Sequence, residues 1–231
     1  MAGKKTKIIK AAKFYSTFIN PGDICYDVGA NIGNKTASLI EIGAKVIAIE
    51  PQPACVAKIK KRFNNQVTVL ETGLSDREGE IELHLTQTST IASMNPEWIQ
   101  SVQKQRFKQY HWDHKIKVPV TTLDKLILQY GKPKFIKIDV EGFELNILNG
   151  LHYAIKWICF EYVPEIIKIA IGCVDRLNFL DSNYEFNWSV GETMQFSLHK
   201  WVNANEMKNL LFQTKNSTLF GDVYARLKEH V

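Results

Sequence analysis

The stretch Asp27-Val28-Gly29-Ala30-Asn31-Ile32-Gly33 decides the fold of this chain. It follows the apolar run Ile24-Cys25-Tyr26, which is typical of a buried strand, and it precedes a predicted helix that begins near Asn34. Glycine lacks a Cβ atom, so Gly29 and Gly33 allow a sharp turn and the close approach of a ligand. A tight turn after a strand is where open α/β sheets bind nucleotide-like ligands. The stretch therefore predicts a cofactor site.

The spacing of the glycines indicates which cofactor this is. The pattern D-x-G-x-x-x-G lacks the middle glycine of the G-x-G-x-x-G loop that binds diphosphates. Asp27 leads the turn and suits an ammonium better than a phosphate, which favours S-adenosylmethionine. The next apolar run ends at Glu50, at the spacing of about 20 residues expected for a carboxylate that binds ribose hydroxyls. The alternative is that Asp27 only caps the turn and the glycines only tighten it.

Composition bounds the class of protein. The chain has 231 residues, of which 45% are hydrophobic and 23% charged, as expected for one folded domain over residues 1–231. The net charge of +5 would favour an anionic partner without demanding one. No apolar run reaches the roughly 18 residues of a membrane helix, and no secretory signal follows the lysine-rich start. The four cysteines show no pairing of the metal-binding type, so we expect a reducing, cytoplasmic location without disulfides or zinc.

Strand and helix patterns alternate along the chain, which predicts a largely parallel sheet with helices on both faces. The predicted strands are 24–28, 45–50, 67–71, 80–85, 118–120, 135–139, 157–161, 184–190, 194–198 and 219–227. The predicted helices are 7–19, 34–43, 53–64, 96–110, 123–130, 143–149, 164–171 and 205–212, with a further one near 173–181. Residues 1–20 form a helical extension, and 86–117 are an insertion or substrate lid. The mixed basic and aromatic residues at 106–117 favour a lid or an anchored surface helix over a nucleic-acid patch.

Carboxylates follow several of the predicted strands, so they converge on one edge of the sheet. They are Asp27, Glu50, Asp76, Asp139, Glu141 and Glu161. Like charges brought together are unfavourable unless a cation or hydrogen-bond donors meet them. A sulfonium, a substrate or a metal ion could supply that relief.

Taken together, the motifs resemble those of the FkbM-type methyltransferases over residues 20–227. The matching segments are D-V-G-A-N-I-G at 27–33, Glu50-Pro51, G-L-S-D at 73–76, S-T-I-A-S at 89–93, V-P-V-T-T-L-D at 118–124 and F-I-K-I-D-V-E-G-F-E at 135–144. The resemblance implies a class I, Rossmann-like α/β fold with a seven-stranded sheet in the order 3-2-1-4-5-7-6. Its seventh strand would be antiparallel. It also implies S-adenosylmethionine as cofactor and O-methylation of sugars or polyketide-like products.

The predicted site residues divide into two sets. The cofactor set comprises Asp27, Gly29, Asn31, Gly33, Glu50, Pro51, Leu74, Ser75, Asp76 and Asp139. An alcohol must lose a proton when it is methylated, and a nearby general base would accept it. Asp139 is the first candidate for that base, Glu141 the second, and His199 or His114 the third. For Asp139 and Glu141 the alternative role is to cap the helix that follows.

Several alternatives stay open at this stage. The predicted site contains no metal, but a divalent ion at Asp139 and Glu161 is a variant. The loop after strand 135–139 has no proline, unlike the usual loop of amine methyltransferases, so a hydroxyl of a sugar, glycolipid or related small molecule is the favoured acceptor. RNA ribose methylation is the alternative, and a non-catalytic cofactor-binding protein is a third. Tryptophans could form a sugar platform, although most are expected in the core. These are Trp98, Trp112, Trp188 and Trp201.

Overall fold

A computed structural model of the chain describes residues 2–215 and 217–228. The strands in these ranges are β1 (Ile24–Val28), β2 (Lys45–Ile49), β3 (Thr68–Leu70), β4 (Gly73–Leu74), β5 (Gly79–Leu85), β6 (His114–Thr121), β7 (Phe135–Ile138), β8 (Trp157–Tyr162), β9 (Tyr184–Val190) and β10 (Gly221–Leu227). The α-helices are α1 (Ala2–Tyr15), α2 (Asn34–Glu41), α3 (Pro53–Phe63), α4 (Pro96–Gln103), α5 (Leu123–Tyr130), α6 (Glu144–Asn149), α7 (Ile167–Leu180) and α8 (Ala204–Gln213).

Seven of these strands form the main sheet of the described ranges, in the order β3-β2-β1-β7-β8-β10-β9. Neighbours from β3 to β8 pair in parallel, whereas β10 is antiparallel to both β8 and β9. When the main-sheet strands are numbered by themselves, this order is 3-2-1-4-5-7-6. The predicted class I methyltransferase fold is therefore confirmed.

Strand β7 shows why the sheet is covered on both faces. All four of its residues are buried, as expected for a central parallel strand. Ile136 and Ile138 face the core that includes α5, α6 and α7. Phe135 faces the other side, where it contacts Tyr15 at the end of α1 and Phe18 just after that helix. Helix α1 thus closes one face of the sheet rather than extending away from it.

A second sheet, in the order β4-β6-β5, was not predicted. Residues 73–76 lie between two predicted strands, but Gly73 and Leu74 pair in parallel with β6. The strand predicted at 118–120 extends over 114–121, because β5 supplies an antiparallel partner along that length. Such partners are distant in the sequence, which is why local patterns missed them.

Three further predictions of secondary structure were wrong. Residues 194–198 form no strand, since Asn187 accepts from the Leu198 amide with its side-chain oxygen and donates to the Leu198 carbonyl. The two helices predicted over 164–181 are one helix, α7, preceded by a 3-10 turn. The helix predicted over 96–110 ends at Gln103.

The insertion packs against the carboxyl ends of β7 and β8. Trp98 of α4 is fully buried in a small cluster with Val163 and Ile166 from the segment after β8. A Cβ atom on Gly142 would lie 2.4 Å from Cδ1 of Trp98, so only glycine permits this contact. Within the described ranges, none of the helices combines the length and apolar character needed to cross a lipid bilayer.

Candidate active site

A cavity of about 280 Å³ lies at the carboxyl ends of the main-sheet strands. Its wall contains residues at or just after the carboxyl ends of β1, β2, β7 and β8, together with residues of the insertion. Among the lining residues are Gly29, Asn31, Glu50, Pro51, Leu74, Asp139, Glu141 and Glu161. The fold thus brings the end of β2 and the end of β7 to one concave surface, as expected for an open α/β sheet.

Glu50 is held at one end of this cavity by backbone amides. Its Oε2 accepts a hydrogen bond from the Asn31 amide at 2.7 Å, and its Oε1 accepts from the Gln52 amide at 2.9 Å. The residue is only 2% exposed, and burial raises the pKa of its carboxyl although both amides oppose the shift. A carboxylate has about four lone-pair sites, so Glu50 can accept further hydrogen bonds, such as those of ribose hydroxyls.

Asp27 lies beneath the cavity rather than in its wall. It is 1% exposed, and its Oδ2 accepts a hydrogen bond from the Thr36 hydroxyl of α2. Burial raises the pKa of the Asp27 carboxyl. The hydrogen bond from Thr36 ties β1 to α2 behind the loop. Gly33 is the N-cap of α2 and also lies outside the cavity wall.

The loops after β1 and β7 touch each other. Gly29 has a φ of 78°, and a Cβ atom there would lie 1.9 Å from the Asp139 carbonyl oxygen. The Asp139 amide donates to the Val28 carbonyl at 3.0 Å. The absence of a side chain at Gly29 therefore serves the contact between two strand ends, as well as the cavity that both residues line.

An acidic wall faces the end of the cavity away from Glu50. It consists of Asp139, Glu141 and Glu161, whose ligand-type oxygens all lie within 4.8 Å of one another. Burial, followed by the neighbouring carboxylates, raises the pKa of Glu141 and of Glu161 well above the usual range. The raised pKa favours the protonated form of Glu141 and Glu161. Groups at this spacing could hold a metal ion, and the absence of a metal stays a prediction.

Two side chains, Ser93 and Glu144, hold the loop that carries Glu141 in place. The Ser93 hydroxyl of the insertion donates to the Glu141 carbonyl at 2.7 Å, and Glu141 has a φ of 55°. Glu144 is buried, and its Oε1 accepts from the Gly142 amide at 3.1 Å. Burial raises the pKa of Glu144 to about 7. The insertion and α6 thus hold the loop between them.

Lys137 is a residue of the site that sequence reasoning missed. It is not among the residues predicted for the site, because it alternates with Ile136 and Ile138 along the strand. Its Nζ lies 3.3 Å from Oδ2 of Asp139. The signal was the period of two, which places residues 137 and 139 on the same side of the strand.

Several predicted residues are not brought to the cavity. Leu74 lines it, but Ser75 and Asp76 do not, because the Ser75 amide donates to the Thr121 carbonyl as the second sheet leads the chain away. His199 is exposed and lines a separate surface depression with Lys200 and other residues. The segment that carries His199 leaves the cavity because Phe196 and Trp201 pack together on Trp157 of β8, on the α1 side of the sheet.

The predicted tryptophan platform is absent from the cavity wall formed by the described residues. Trp98 and Trp112 pack edge to face in the small cluster of the insertion. Trp188 stacks on Tyr162, and Trp201 lies under Arg226. Of the four, only Trp98 is buried, whereas Trp112, Trp188 and Trp201 are half-buried and pack against the core clusters.

Comparisons with known proteins agree with this geometry. The family model for the methyltransferase FkbM domain matches residues 27–175, more than half of the chain. A curated relative, the hexuronic acid methyltransferase AglP of Haloferax volcanii, is 28% identical over 144 residues, which is 61% of this chain. The match spans 55% of the relative, so about half of that protein has a counterpart here.

Solved structures of methyltransferases are similar at low identity. Precorrin-6y C5,15-methyltransferase of Geobacter metallireducens has a TM-score of 0.49 at 11% identity, covering 94% of this chain and 87% of the other. Magnesium protoporphyrin IX methyltransferase of Synechocystis has a TM-score of 0.47 at 12% identity, covering 98% and 80%. Since both scores are below 0.5, the fold assignment depends on the strand order of this chain itself.

Proposed function

The chain belongs to the FkbM family of S-adenosylmethionine-dependent methyltransferases, and from this premise we propose that it methylates a hydroxyl oxygen of a sugar, glycolipid or related small molecule. The observation that carries the proposal is the single cavity that joins Glu50 to the acidic wall of Asp139, Glu141 and Glu161. One end suits the ribose of the cofactor, and the other suits a hydroxyl acceptor.

The residues of the first end fit the cofactor. Glu50 is fixed by two backbone amides, with lone pairs left for the ribose hydroxyls. Leu74 offers an apolar surface in the same wall for the adenine ring. When bound, S-adenosylmethionine supplies a methyl group on a sulfonium centre, so the protein mainly needs to position the acceptor.

The acidic wall is suited to orienting a hydroxyl and accepting its proton. As the acceptor oxygen bonds to the methyl carbon, the carbon–sulfur bond breaks with its electrons going to sulfur, and the hydroxyl proton is released. Asp139 is the proposed acceptor of that proton, because its carboxylate lines the cavity and lies at the end of β7 beside Gly29. Glu141 is the second candidate. His199 is no longer a candidate for the base, because it lies in a separate surface depression.

Charge favours an acceptor rich in uncharged hydroxyls. Carboxylates accept hydrogen bonds from neighbouring hydroxyls of a sugar, whereas they repel phosphate or carboxylate groups. The relative is named for hexuronic acid, a sugar with one carboxyl group, which supports a sugar as the class of acceptor although not an uncharged one. The same acidic wall would repel the phosphates of RNA. In addition, Arg106 of the basic segment 106–117 is already paired with Glu165.

A labelled-methyl assay tests the proposal. S-adenosylmethionine carrying a tritiated methyl group is offered with methyl glycosides of a neutral hexose, an amino sugar and a hexuronic acid, with a glycolipid and with a short RNA. We expect label in the neutral sugar or glycolipid as an alkali-stable ether, both with and without EDTA. Transfer to RNA alone, to nitrogen, or as an alkali-labile ester would contradict O-methylation of a sugar hydroxyl. Glu50→Gln is the control for dependence on the cofactor site.

A further inference from the structure

Lys137 bridges two acidic side chains from different strands. Its Nζ lies 3.0 Å from Oδ1 of Asp222 in β10 and 3.3 Å from Oδ2 of Asp139. The carbonyl oxygen of Ile138 lies 3.4 Å from the same nitrogen. An ammonium group has three N–H donors, so each has one acceptor within reach.

The burial of this lysine is complete. Lys137 is 0% exposed, and the described part of the chain contains no other lysine in its buried core. Burial opposes the charged form of Lys137, but the carboxylates of Asp139 and Asp222 outweigh it and raise the pKa of the lysine well above its usual value. A buried ion pair is costly, and an apolar side chain often replaces one without loss of stability. Packing alone therefore gives little reason for an ammonium at this position.

The two aspartates paired with Lys137 differ in their exposure. Asp222 is almost buried, with a side chain that is 10% exposed. The Asp139 side chain is 34% exposed and lines the cavity. The backbone of Asp139 is held by Val28, but its carboxylate would be free to turn about the Cα–Cβ bond without a side-chain partner.

We infer that Lys137 is a positioning residue, which fixes the Asp139 carboxylate in the orientation that accepts the acceptor's proton and anchors it to β10 through Asp222. This inference rests on the proposed function, because it assigns Asp139 its task in methyl transfer. Other charged groups also face Asp139. Asp27 lies on the β1 side, Glu141, Glu144 and Glu161 lie around the acidic wall, and Lys35 and Glu192 line the rim. Of these charged groups and Lys137, it is Lys137 whose side chain forms an ion pair with Asp139.

The test compares turnover with cofactor affinity in matched variants of the full chain. Lys137→Met is combined with Asp222→Asn so that no lone buried anion remains, and Asp222→Asn alone preserves the pair of Lys137 with Asp139. Lys208→Met, which removes a lysine paired with Asp175 on the surface of α7 and α8, is the control. The acceptor is the methyl glycoside that the wild-type chain methylates fastest, and S-adenosylhomocysteine reports on the cofactor site.

For the double variant we expect a kcat lowered at least tenfold, with the Kd for S-adenosylhomocysteine changed less than threefold. Asp222→Asn should lose less turnover, and Lys208→Met should keep the wild-type values. A folded double variant with the same kcat as Asp222→Asn would overturn the inference. A wild-type chain that methylates no glycoside would instead overturn the proposed function.

A spectroscopic measurement covers the case in which the double variant does not fold. In the wild-type chain labelled with ¹⁵N at lysine Nζ, the buried Lys137 ammonium should give a signal protected from exchange with water. Asp139→Asn should shift that signal, since it replaces a charged acceptor of the ammonium by a neutral amide. A signal that Asp139→Asn leaves unchanged would show that the two groups do not interact, and the inference would fail.

Discussion

The α-carbon of Gly29 and the carbonyl oxygen of Asp139 are packed so closely that a β-carbon on residue 29 would lie 1.9 Å from that oxygen. Contact at this distance cannot be absorbed by a flexible side chain, because the group that is met belongs to the backbone. The ends of β1 and β7 are therefore joined at the point where both enter the cavity.

Gly29→Ala should lower both stability and cofactor affinity. A residue other than glycine at a φ of 78° costs about 1–3 kcal/mol from backbone strain alone. In addition, the clash of the new β-carbon with the Asp139 carbonyl oxygen should displace the loop. Gly22→Ala is the matched control, because Gly22 has a φ of 88° and open space around its β-position. Urea denaturation and calorimetry with S-adenosylhomocysteine measure the two effects, and equal losses in both variants would contradict the close contact.

Glu50→Ala should weaken the binding of S-adenosylmethionine by about 1–3 kcal/mol, the range for a hydrogen bond to a charged group. The reason is that the variant loses the acceptor of the ribose hydroxyls, together with the partner of the Asn31 and Gln52 amides. Isothermal calorimetry gives the affinity. Glu82→Ala is the control, since this carboxylate lies on the surface of the second sheet beside Lys115. Unchanged affinity in the Glu50 variant would remove the ribose assignment.

Asp139→Asn should lower kcat by about 10²–10⁴, the usual contribution of a general base, and should change cofactor affinity much less. The amide retains the shape of the side chain but cannot accept the proton. Glu141→Gln, made in parallel, should have a smaller effect on kcat. If the order of the two effects is reversed, the base is Glu141 rather than Asp139.

Glu144→Gln should change how stability depends on pH. The pKa of Glu144 is raised to about 7 in the folded chain, so between its ordinary value and pH 7 the folded state holds a proton that the unfolded state has released. Stability from this group is present at low pH and lost as the pH rises towards 7. The free energy of unfolding of the variant, relative to that of the wild type, should therefore rise by on the order of 3 kcal/mol as the pH is raised from 4.5 to 8. Urea denaturation across that range measures it, with the exposed Glu80→Gln as control; a constant difference would contradict the shift.

Arg106→Met should loosen the insertion. Arg106 and Glu165 form a two-point ion pair with N–O distances of 2.8 Å and 3.3 Å, and the side chain of Glu165 is only 8% exposed. Removal of the arginine leaves that carboxylate without its partner, which we expect to cost about 3 kcal/mol, at the lower end of the range for a broken buried ion pair. Hydrogen exchange should then quicken at residues 104–113, whereas Lys115→Met in an exposed pair should leave it unchanged. Equal exchange in both variants would mean that the ion pair does not hold the insertion.

Local patterns predicted most of the main sheet. The strands around Cys25, Val46 and Ile136 were identified because buried parallel strands read as continuous apolar runs between turn residues. The second sheet was missed, since Leu74 and Val120 find their partners only after the chain has folded. The segment at Phe196 failed for a related reason, because its alternating pattern is satisfied by packing against Trp201 instead of a strand ladder.

The sequence by itself determined that a glycine turn follows the first strand and that Glu50 and Asp139 each follow a strand, because periodicity and turn chemistry are properties of adjacent residues. Only the tertiary structure decided that Asp27 turns inward to Thr36 and that Lys137 reaches Asp139 and Asp222. The direction of a charged side chain depends on which distant groups share its surroundings, and those groups come together only when β1, β7 and β10 pack into one sheet.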